Sequence, residues 1–258
     1  MSAAGVAGDD IQTLGPWFHN LHLPDGSQTA PDHPLGDFPA WAWREIRAAV
    51  PDDLSGWRAL DVGCNAGYYS FELARRGAHV TAVDFDTRYL RQGRWAAAQL
   101  GLCHNVAFRR LHVYELAREP ARYDLVWFMG VAYHLRHPLL ALDPLRRLTR
   151  RLLVFQSMTF PAEDAGALPA DLRLDERSRL AAPDWPKMAF IEKSLGGDPT
   201  NWWVATPSCL EAMLRSSGFC IVSRPARETY VCEPATVDAE IARDLEAVFG
   251  GIVGGDSG

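Results

Sequence analysis

Five short apolar runs recur along the chain, separated by stretches whose apolar residues return at helical spacing. Residues 60–62, 80–83, 105–109, 124–129 and 152–156 read as strands. Between the first two, a helix carries Phe71, Leu73 and Ala74 on its apolar side and stops at Gly77. Residues 87–100 read as a second helix, with Leu90, Ala97 and Leu100 facing inward, Asp86 placed to cap its start and Gly101 to end it. A leucine-striped helix over 139–149 precedes the fifth strand. The fourth run is nearly all apolar, as a central parallel strand covered on both faces requires. A helix over 41–50 is expected before the first strand and another over 206–217, followed by an antiparallel hairpin from 219–224 and 228–232. The alternation predicts an α/β sheet.

The turn after the first strand concentrates the chemistry. Asp61, Gly63, Cys64, Asn65 and Gly67 crowd it, and Asp84 ends the second strand seventeen residues beyond Gly67. Backbone approaches a ligand only where side chains are absent, and a carboxylate at the next strand tip can take two ribose hydroxyls. Gly63 and Gly67 are thus expected to give close approach, and Asp84 to grip a sugar. A dinucleotide phosphate site normally adds a third glycine and an uncrowded helix N-terminus. Here Asn65 stands in the middle and Asp61 puts a negative charge below the turn, which suits an amino group better than a pyrophosphate. The glycines alone would also fit a strand–turn–helix with no ligand; Asp84 argues against that.

The run from Asp61 to Gly67, Asp-Val-Gly-Cys-Asn-Ala-Gly, resembles the first motif of class I S-adenosylmethionine-dependent methyltransferases, with Asn in place of the middle glycine. A longer match runs from Phe128 to Leu139 through Met129-Gly130-Val131-Ala132-Tyr133-His134 and Pro138. It resembles a segment of the enzymes that modify the 5-hydroxyl of wobble uridine in tRNA, and of a wider set of related methyltransferases. The resemblance covers roughly residues 40–232. It implies a Rossmann-like class I methyltransferase sheet with seven strands, the last antiparallel, and S-adenosyl-L-methionine as cofactor. Asp61, Gly63, Cys64, Asn65, Gly67, Asp84, Phe85, Met129 and Gly130 are then expected around the cofactor. His112 and Val113 follow the third strand, where the purine lies in this fold. Tyr133 and His134, just past the fourth strand's tip, are candidates for the chemistry, although a lone His more often only bonds a backbone carbonyl.

The wobble-uridine enzymes use a carboxylated form of S-adenosylmethionine. They hold the extra carboxylate with a Lys ahead of a Gly-Pro, a Tyr in the Tyr-His segment and an Arg near the C-terminus. Tyr133 and Arg227 match the last two, but Leu14 stands ahead of Gly15-Pro16. A missing cation leaves a carboxylate short of one charge partner, which is expensive in an apolar setting. The long N-terminal extension of those enzymes is also lacking. Both departures point to plain S-adenosylmethionine and a small polar acceptor, methylated at oxygen in preference to nitrogen. Transfer to tRNA, N-methylation and a non-catalytic nucleoside-binding protein are the alternatives.

Residues 14–39 hold too many aromatics for a free tail and too much Pro and Gly for a helix. A lid over the open sheet edge is expected, with His19 as a second candidate base; an arm merely packed on the surface by Trp17 and Phe18 is the alternative. His19, His22, Asp25, Asp32, His33 and Asp37 could also hold a metal, but no motif fixes their geometry and none is assigned. The interval 160–205 is too long for a plain connection and carries Glu192, Asn201, Trp202 and Trp203. Glu192 and Asn201 are candidates for reading polar groups of the acceptor, with the indoles as walls or as seals on the sheet edge. Arg227 is the candidate partner for an anionic acceptor. The layout is an arm or lid over 1–40, a methyltransferase domain over 41–233, and a C-terminal segment over 234–258. Residues 237–249 pattern as an amphipathic helix able to cover the sheet or a partner subunit, which keeps a homodimer open.

Composition narrows this further. The chain has 258 residues, 26 basic against 32 acidic, for a net charge of −6, so global charge gives no support for a nucleic-acid partner. Arg146, Arg147, Arg150 and Arg151 form the strongest basic cluster, on a helix expected to lie away from the ligand edge. No run approaches the length of a membrane span and no basic start precedes an apolar stretch, so a cytoplasmic protein without membrane contact is expected. The five cysteines are odd in number and show no C-x-x-C pair, which suggests neither a disulfide framework nor a zinc cluster.

Overall fold

The computed structural model describes residues 10–161 and 172–236, with isolated positions at 243 and 247. The short helix α1 (Ile11–Leu14) and α2 (Phe38–Ile46) precede β1 (Arg58–Val62). Then follow α3 (Tyr68–Arg75), β2 (His79–Asp84), α4 (Thr87–Gln99), β3 (Val106–Arg110) and β4 (Tyr123–Met129). The chain continues with α5 (Pro138–Leu148), β5 (Thr149–Gln156), β6 (Met188–Phe190), β7 (Trp203–Ala205), α6 (Pro207–Ser216), β8 (Phe219–Ala226) and β9 (Thr229–Pro234).

Seven strands form one sheet in the order β3-β2-β1-β4-β5-β9-β8. All pair in parallel except β9, which runs antiparallel to both β5 and β8. The strand order reverses between β1 and β4, and the crevice beyond their carboxyl ends is where sheets of this kind bind ligands. The seven-stranded α/β sheet with an antiparallel last strand is thus as the resemblance implies.

Alternation along the strands separates two cores. Leu125 and Trp127 of β4 face one side, against Trp43 and Ile46 of α2, Phe71 and Leu73 of α3 and Trp95 of α4. Val126 and Phe128 face the other, against Leu142 and Leu145 of α5 and Leu210 and Leu214 of α6. Every β4 residue from Tyr123 to Phe128 is buried, which explains its unbroken apolar run.

Element edges move for local reasons. The helix expected over 41–50 starts at Phe38, where Pro39 suits the first turn, and passes at Arg47 into a 3-10 turn. Asp86 caps α4 by accepting from the Arg88 N–H at 2.7 Å, as its place in the sequence suggested. β5 begins at Thr149 rather than Leu152, because β4 pairs with it back to Tyr123. Arg227, just ahead of the last strand in the sequence, sits in the turn between β8 and β9. In the long interval, β6 and β7 pair as a separate two-stranded sheet. Residues 1–9 of the expected arm, and all but two positions of the helix expected over 237–249, fall outside the described residues.

Candidate active site

The N-terminal segment is tied down by polar side chains. Gln92 of α4, buried, donates to the carbonyls of Leu14 and Pro16 at 2.7 and 2.9 Å, and Trp17 packs on Trp95 with ring centroids 5.7 Å apart. Asn20 accepts from the Ala30 N–H, and the Thr29 hydroxyl donates to the His19 carbonyl. These bonds place Phe18 and His19 over the carboxyl edge of the sheet. Leu14 itself is buried in the core, so its position supplies no charge to the site.

Beneath Phe18 and His19 lies a cavity of about 380 Å³ that also reaches Gly63, Asp84, Gly130, Tyr133 and His134. Asp84 is held from below: Asn65 N–H donates to Oδ2 and Asp86 N–H to Oδ1, each at 2.9 Å. Burial raises its pKa above the usual carboxylate range, with Asp86 adding to the effect. A carboxylate so placed, on a cavity wall with lone pairs to spare, fits a ligand that brings hydroxyl donors. Gly63 has φ +71°, and a Cβ there would lie 2.4 Å from Val131 Cγ2, so the β1 turn and the loop after β4 close together only over glycine.

Not every motif residue faces this cavity. Gly67, at φ +91°, lacks a side chain for another reason: its Cβ would lie 2.9 Å from Phe108 Cζ and 3.1 Å from Phe71 Cζ, inside the core. Cys64 is buried in that core with its thiol pKa pushed well up, and only its backbone belongs to the turn. Asp61 lies below the turn, accepting from Ser70 Oγ at 2.6 Å. Burial pushes its carboxyl to about 7, so the charge expected there is half-suppressed near neutrality. Phe85 is exposed and meets His112 edge-on at 5.5 Å, with Tyr114 5.0 Å beyond, forming a ring shelf past Asp84. The Val113 side chain is buried in the core and adds nothing to this shelf.

At the other end stand Tyr133 and His134, with ring centroids 4.3 Å apart. Burial, with Glu228 and Asp198 facing it, pushes the Tyr133 phenol up to about 12. His134 Nδ1 lies 2.9 Å from Thr200 Oγ1 and 3.8 Å from Asp198 Oδ2. Its pKa is lowered chiefly by burial, an effect that Asp198 opposes. His19 is different: burial, then His33, drives it down to about 3, and Nδ1 has no hydrogen-bond partner. It is neutral and a weak base at neutral pH.

A second cavity of about 420 Å³ adjoins the first across Met129 and Gly130 and is lined by Glu45, Tyr69, Gln156, Arg227 and Glu228. Gln156 accepts from the Gly130 N–H at 2.9 Å and donates to Glu228 at 3.3 Å. Arg227 therefore borders the site, although from the hairpin turn. Glu192 and Asn201 do not line either cavity: Glu192 is exposed after β6, and Asn201 Nδ2 donates to the Leu195 carbonyl at 2.9 Å, while its Oδ1 is buried without a partner. Five residues of the first cavity went unassigned in the sequence: Phe18, Tyr89, Val131, Asp198 and Thr200. Among the described residues, no three His, Cys, Asp or Glu side chains gather as a metal site.

The architecture is that of the class I methyltransferases. Residues 59–152, from β1 into β5, match the family described as "Methyltransferase domain". Over 97 residues the chain is 38% identical to a ubiquinone biosynthesis O-methyltransferase from Acinetobacter baumannii, covering 37% of this chain and 39% of that protein. The chain thus spans about two fifths of the length of the curated relatives it matches. Among solved structures it resembles the N-terminal domain of EvdMO1 with SAH bound, with a TM-score of 0.60 and 19% identity over 88% of this chain and 94% of that one. It also resembles the [4+2]-cyclase SpnF, with a TM-score of 0.50 and 18% identity over 81% and 66% of the two chains. At such identities the likeness is one of fold, and a cyclase on the same frame illustrates that fold does not set the reaction.

Proposed function

We propose that this chain is an S-adenosylmethionine-dependent methyltransferase acting at an oxygen of a small polar molecule. The observation that carries the reading is one continuous cavity, with the Gly63 turn and Asp84 at one end and Tyr133 and His134 at the other. Gly63 gives close approach, Asp84 takes the ribose hydroxyls, and Phe85 with His112 offers a shelf for the base. When bound, the sulfonium supplies an activated methyl group, so the chain's task is placement of the acceptor and removal of its proton. Tyr133, protonated at all working pH values, orients the acceptor; His134, neutral near pH 7, accepts its proton. The cavity bordered by Gln156 and Arg227 receives the rest of the acceptor.

RNA is disfavoured as acceptor by the fate of the basic cluster. Arg146 donates to the carbonyls of Gly218 and Ala235, Arg147 to those of Leu116, Ala117 and Glu119, and Arg151 pairs with Asp124 at 3.3 Å. Two of the four guanidiniums thus cap backbone ends and a third is paired with a carboxylate, which leaves Arg150 as a poor phosphate track by itself. Carboxymethyl transfer remains the second reading because Tyr133 and Arg227 both border the site, and Arg227 forms no ion pair among the described residues.

The test is incubation with methyl-labelled S-adenosylmethionine and either total tRNA or a fractionated small-metabolite extract. Label is expected in a low-mass fraction and lost in His134→Gln. Label in tRNA that vanishes with Tyr133→Phe would overturn the choice of acceptor. Mass spectrometry of co-purified ligand settles the donor: mostly carboxylated S-adenosylmethionine would overturn the plain-donor reading.

A further inference from the structure

Thr200 Oγ1 lies between two partners. It is 2.6 Å from Asp198 Oδ1 and 2.9 Å from His134 Nδ1. A threonine hydroxyl has one proton to give. Asp198 is held below the usual carboxylate range, by the Thr200 hydroxyl first and its N–H next among the stabilising contacts, and so is an anion that can only accept. Two oxygens 2.6 Å apart, one of them anionic, repel unless a proton lies between them, so the hydroxyl proton belongs to the Asp198 bond. Thr200 Oγ1 then has only lone pairs to offer His134, and Nδ1 must carry the ring proton. The remaining nitrogen, Nε2, is left with its lone pair.

We propose that Thr200 and Asp198 are positioning residues that fix His134 in the Nδ1–H form and hold Nε2 ready to take a proton from the acceptor. This deepens the methyltransferase reading and rests on it for the identity of the reaction. As the acceptor oxygen bonds to the methyl carbon, the sulfur–methyl bond breaks with its electron pair left on sulfur, and the oxygen's proton passes to Nε2. The imidazolium so formed keeps its Nδ1–H bond to Thr200 and has the Asp198 charge 3.8 Å away, which favours it. The arrangement selects acceptors that still carry a proton at neutral pH, such as hydroxyls and phenols, over carboxylates, which need no base.

The loop holding the pair is itself fixed to the site. Trp202 N–H donates to the Tyr133 carbonyl at 2.9 Å, and the Asn201 amide closes the loop on Leu195. Asn201, expected to touch the acceptor, instead helps place Asp198. The other ionisable groups about His134 do not compete for Nδ1. Tyr133 is neutral beside it, His19 and Asp84 lie on the same cavity, and Arg136, two residues on, packs its guanidinium on Trp202 at 4.7 Å.

Long-range proton–nitrogen NMR of the imidazoles in 15N-labelled full-length protein reads this directly and needs no acceptor. His134 is assigned by its loss in His134→Gln. The wild type should show the Nδ1–H form, Thr200→Ser should keep it, and Thr200→Val should lose it. Asp198→Asn should lower the His134 pKa by about half a unit or more, since removing a nearby anion disfavours the imidazolium. S-adenosylhomocysteine titrated into the wild type reports separately whether the cavity takes the cofactor. An Nε2–H form in the wild type, or a Thr200→Val spectrum identical to it, overturns the proposal. Absence of S-adenosylhomocysteine binding in the wild type would instead overturn the methyltransferase reading and leave the tautomer result to stand by itself.

Discussion

Asp84→Ala tests the cofactor end of the cavity, and its magnitude can be worked from the geometry. An ionised carboxylate has about four acceptor positions. Asn65 and Asp86 N–H groups occupy two, at 2.9 Å each, and the carboxylate borders the cavity. A hydrogen bond to a charged group contributes about 1.5–3 kcal/mol net. With tenfold in Kd for about every 1.4 kcal/mol, loss of one ribose bond predicts a weakening of about 10- to 150-fold for S-adenosylhomocysteine. The substitution also strips two turn N–H groups of their partners, so weaker binding alone would be ambiguous.

A cycle removes the ambiguity. Calorimetry would compare S-adenosylhomocysteine and its 2′,3′-dideoxy analogue against wild type and Asp84→Ala. If the carboxylate holds the hydroxyls, deleting them from the ligand weakens wild-type binding by a similar factor and costs the variant almost nothing further. Penalties that simply add, each the same in the presence or absence of the other, would mean that the ribose is held elsewhere and would refute the assignment of Asp84. NAD should show no detectable binding.

Three further outcomes follow from the same structure. Gly63→Ala should weaken S-adenosylhomocysteine binding by about tenfold or more through its φ of +71° and the Val131 contact, with partial recovery in Gly63→Ala/Val131→Ala; no recovery would assign the whole effect to backbone strain. Gly67→Ala should instead lower Tm by roughly 5 °C, from about 1–3 kcal/mol of backbone strain at φ +91° and overpacking against Phe108, while leaving the affinity within about threefold; a large affinity loss with Tm unchanged would return Gly67 to the binding site. For Asp61 the folded pKa, about 7, lies above the ordinary 3.8, so its contribution is full below the unfolded value and is lost as pH rises through about 7. Asp61→Asn should therefore gain stability relative to wild type between pH 5 and pH 8, on the order of a few kcal/mol, and an Asn-minus-wild-type difference in melting that stays flat over that range would show the carboxyl to titrate normally.

The cofactor half was legible in the sequence because each part of it is local. A glycine at the end of a strand, an Asp at the tip of the next and a helix between them are fixed by spacing alone, and Gly63 and Asp84 both stand where that spacing puts them. Even here a letter does not declare its neighbour. Gly63 and Gly67 sit in one motif with positive φ, yet one closes against the loop after β4 and the other against Phe108 of β3, and only a long-range contact separates the roles. Asp61 likewise read as a charge, whereas burial leaves it titrating near neutrality.

The acceptor half follows a different rule. Tyr133 and His134 could be picked out because they follow the tip of a strand whose direction the sheet fixes. What acts on them comes from residues 198–202, in an interval with neither helical nor alternating period, where nothing in the spacing distinguishes Asp198 from a loop Asp. Thr200 reaches His134 across 66 positions, and that loop is set by backbone bonds from Trp202 and Leu195 which no side-chain pattern encodes. The same interval misdirected attention to Glu192 and Asn201, polar residues beside indoles, since proximity to aromatic residues in sequence was the only cue. In the folded chain Glu192 faces solvent and Asn201 braces the loop, while the less conspicuous Asp198 and Thr200 line the cavity. Hydrogen-bond accounting around His134 thus identifies what spacing could not.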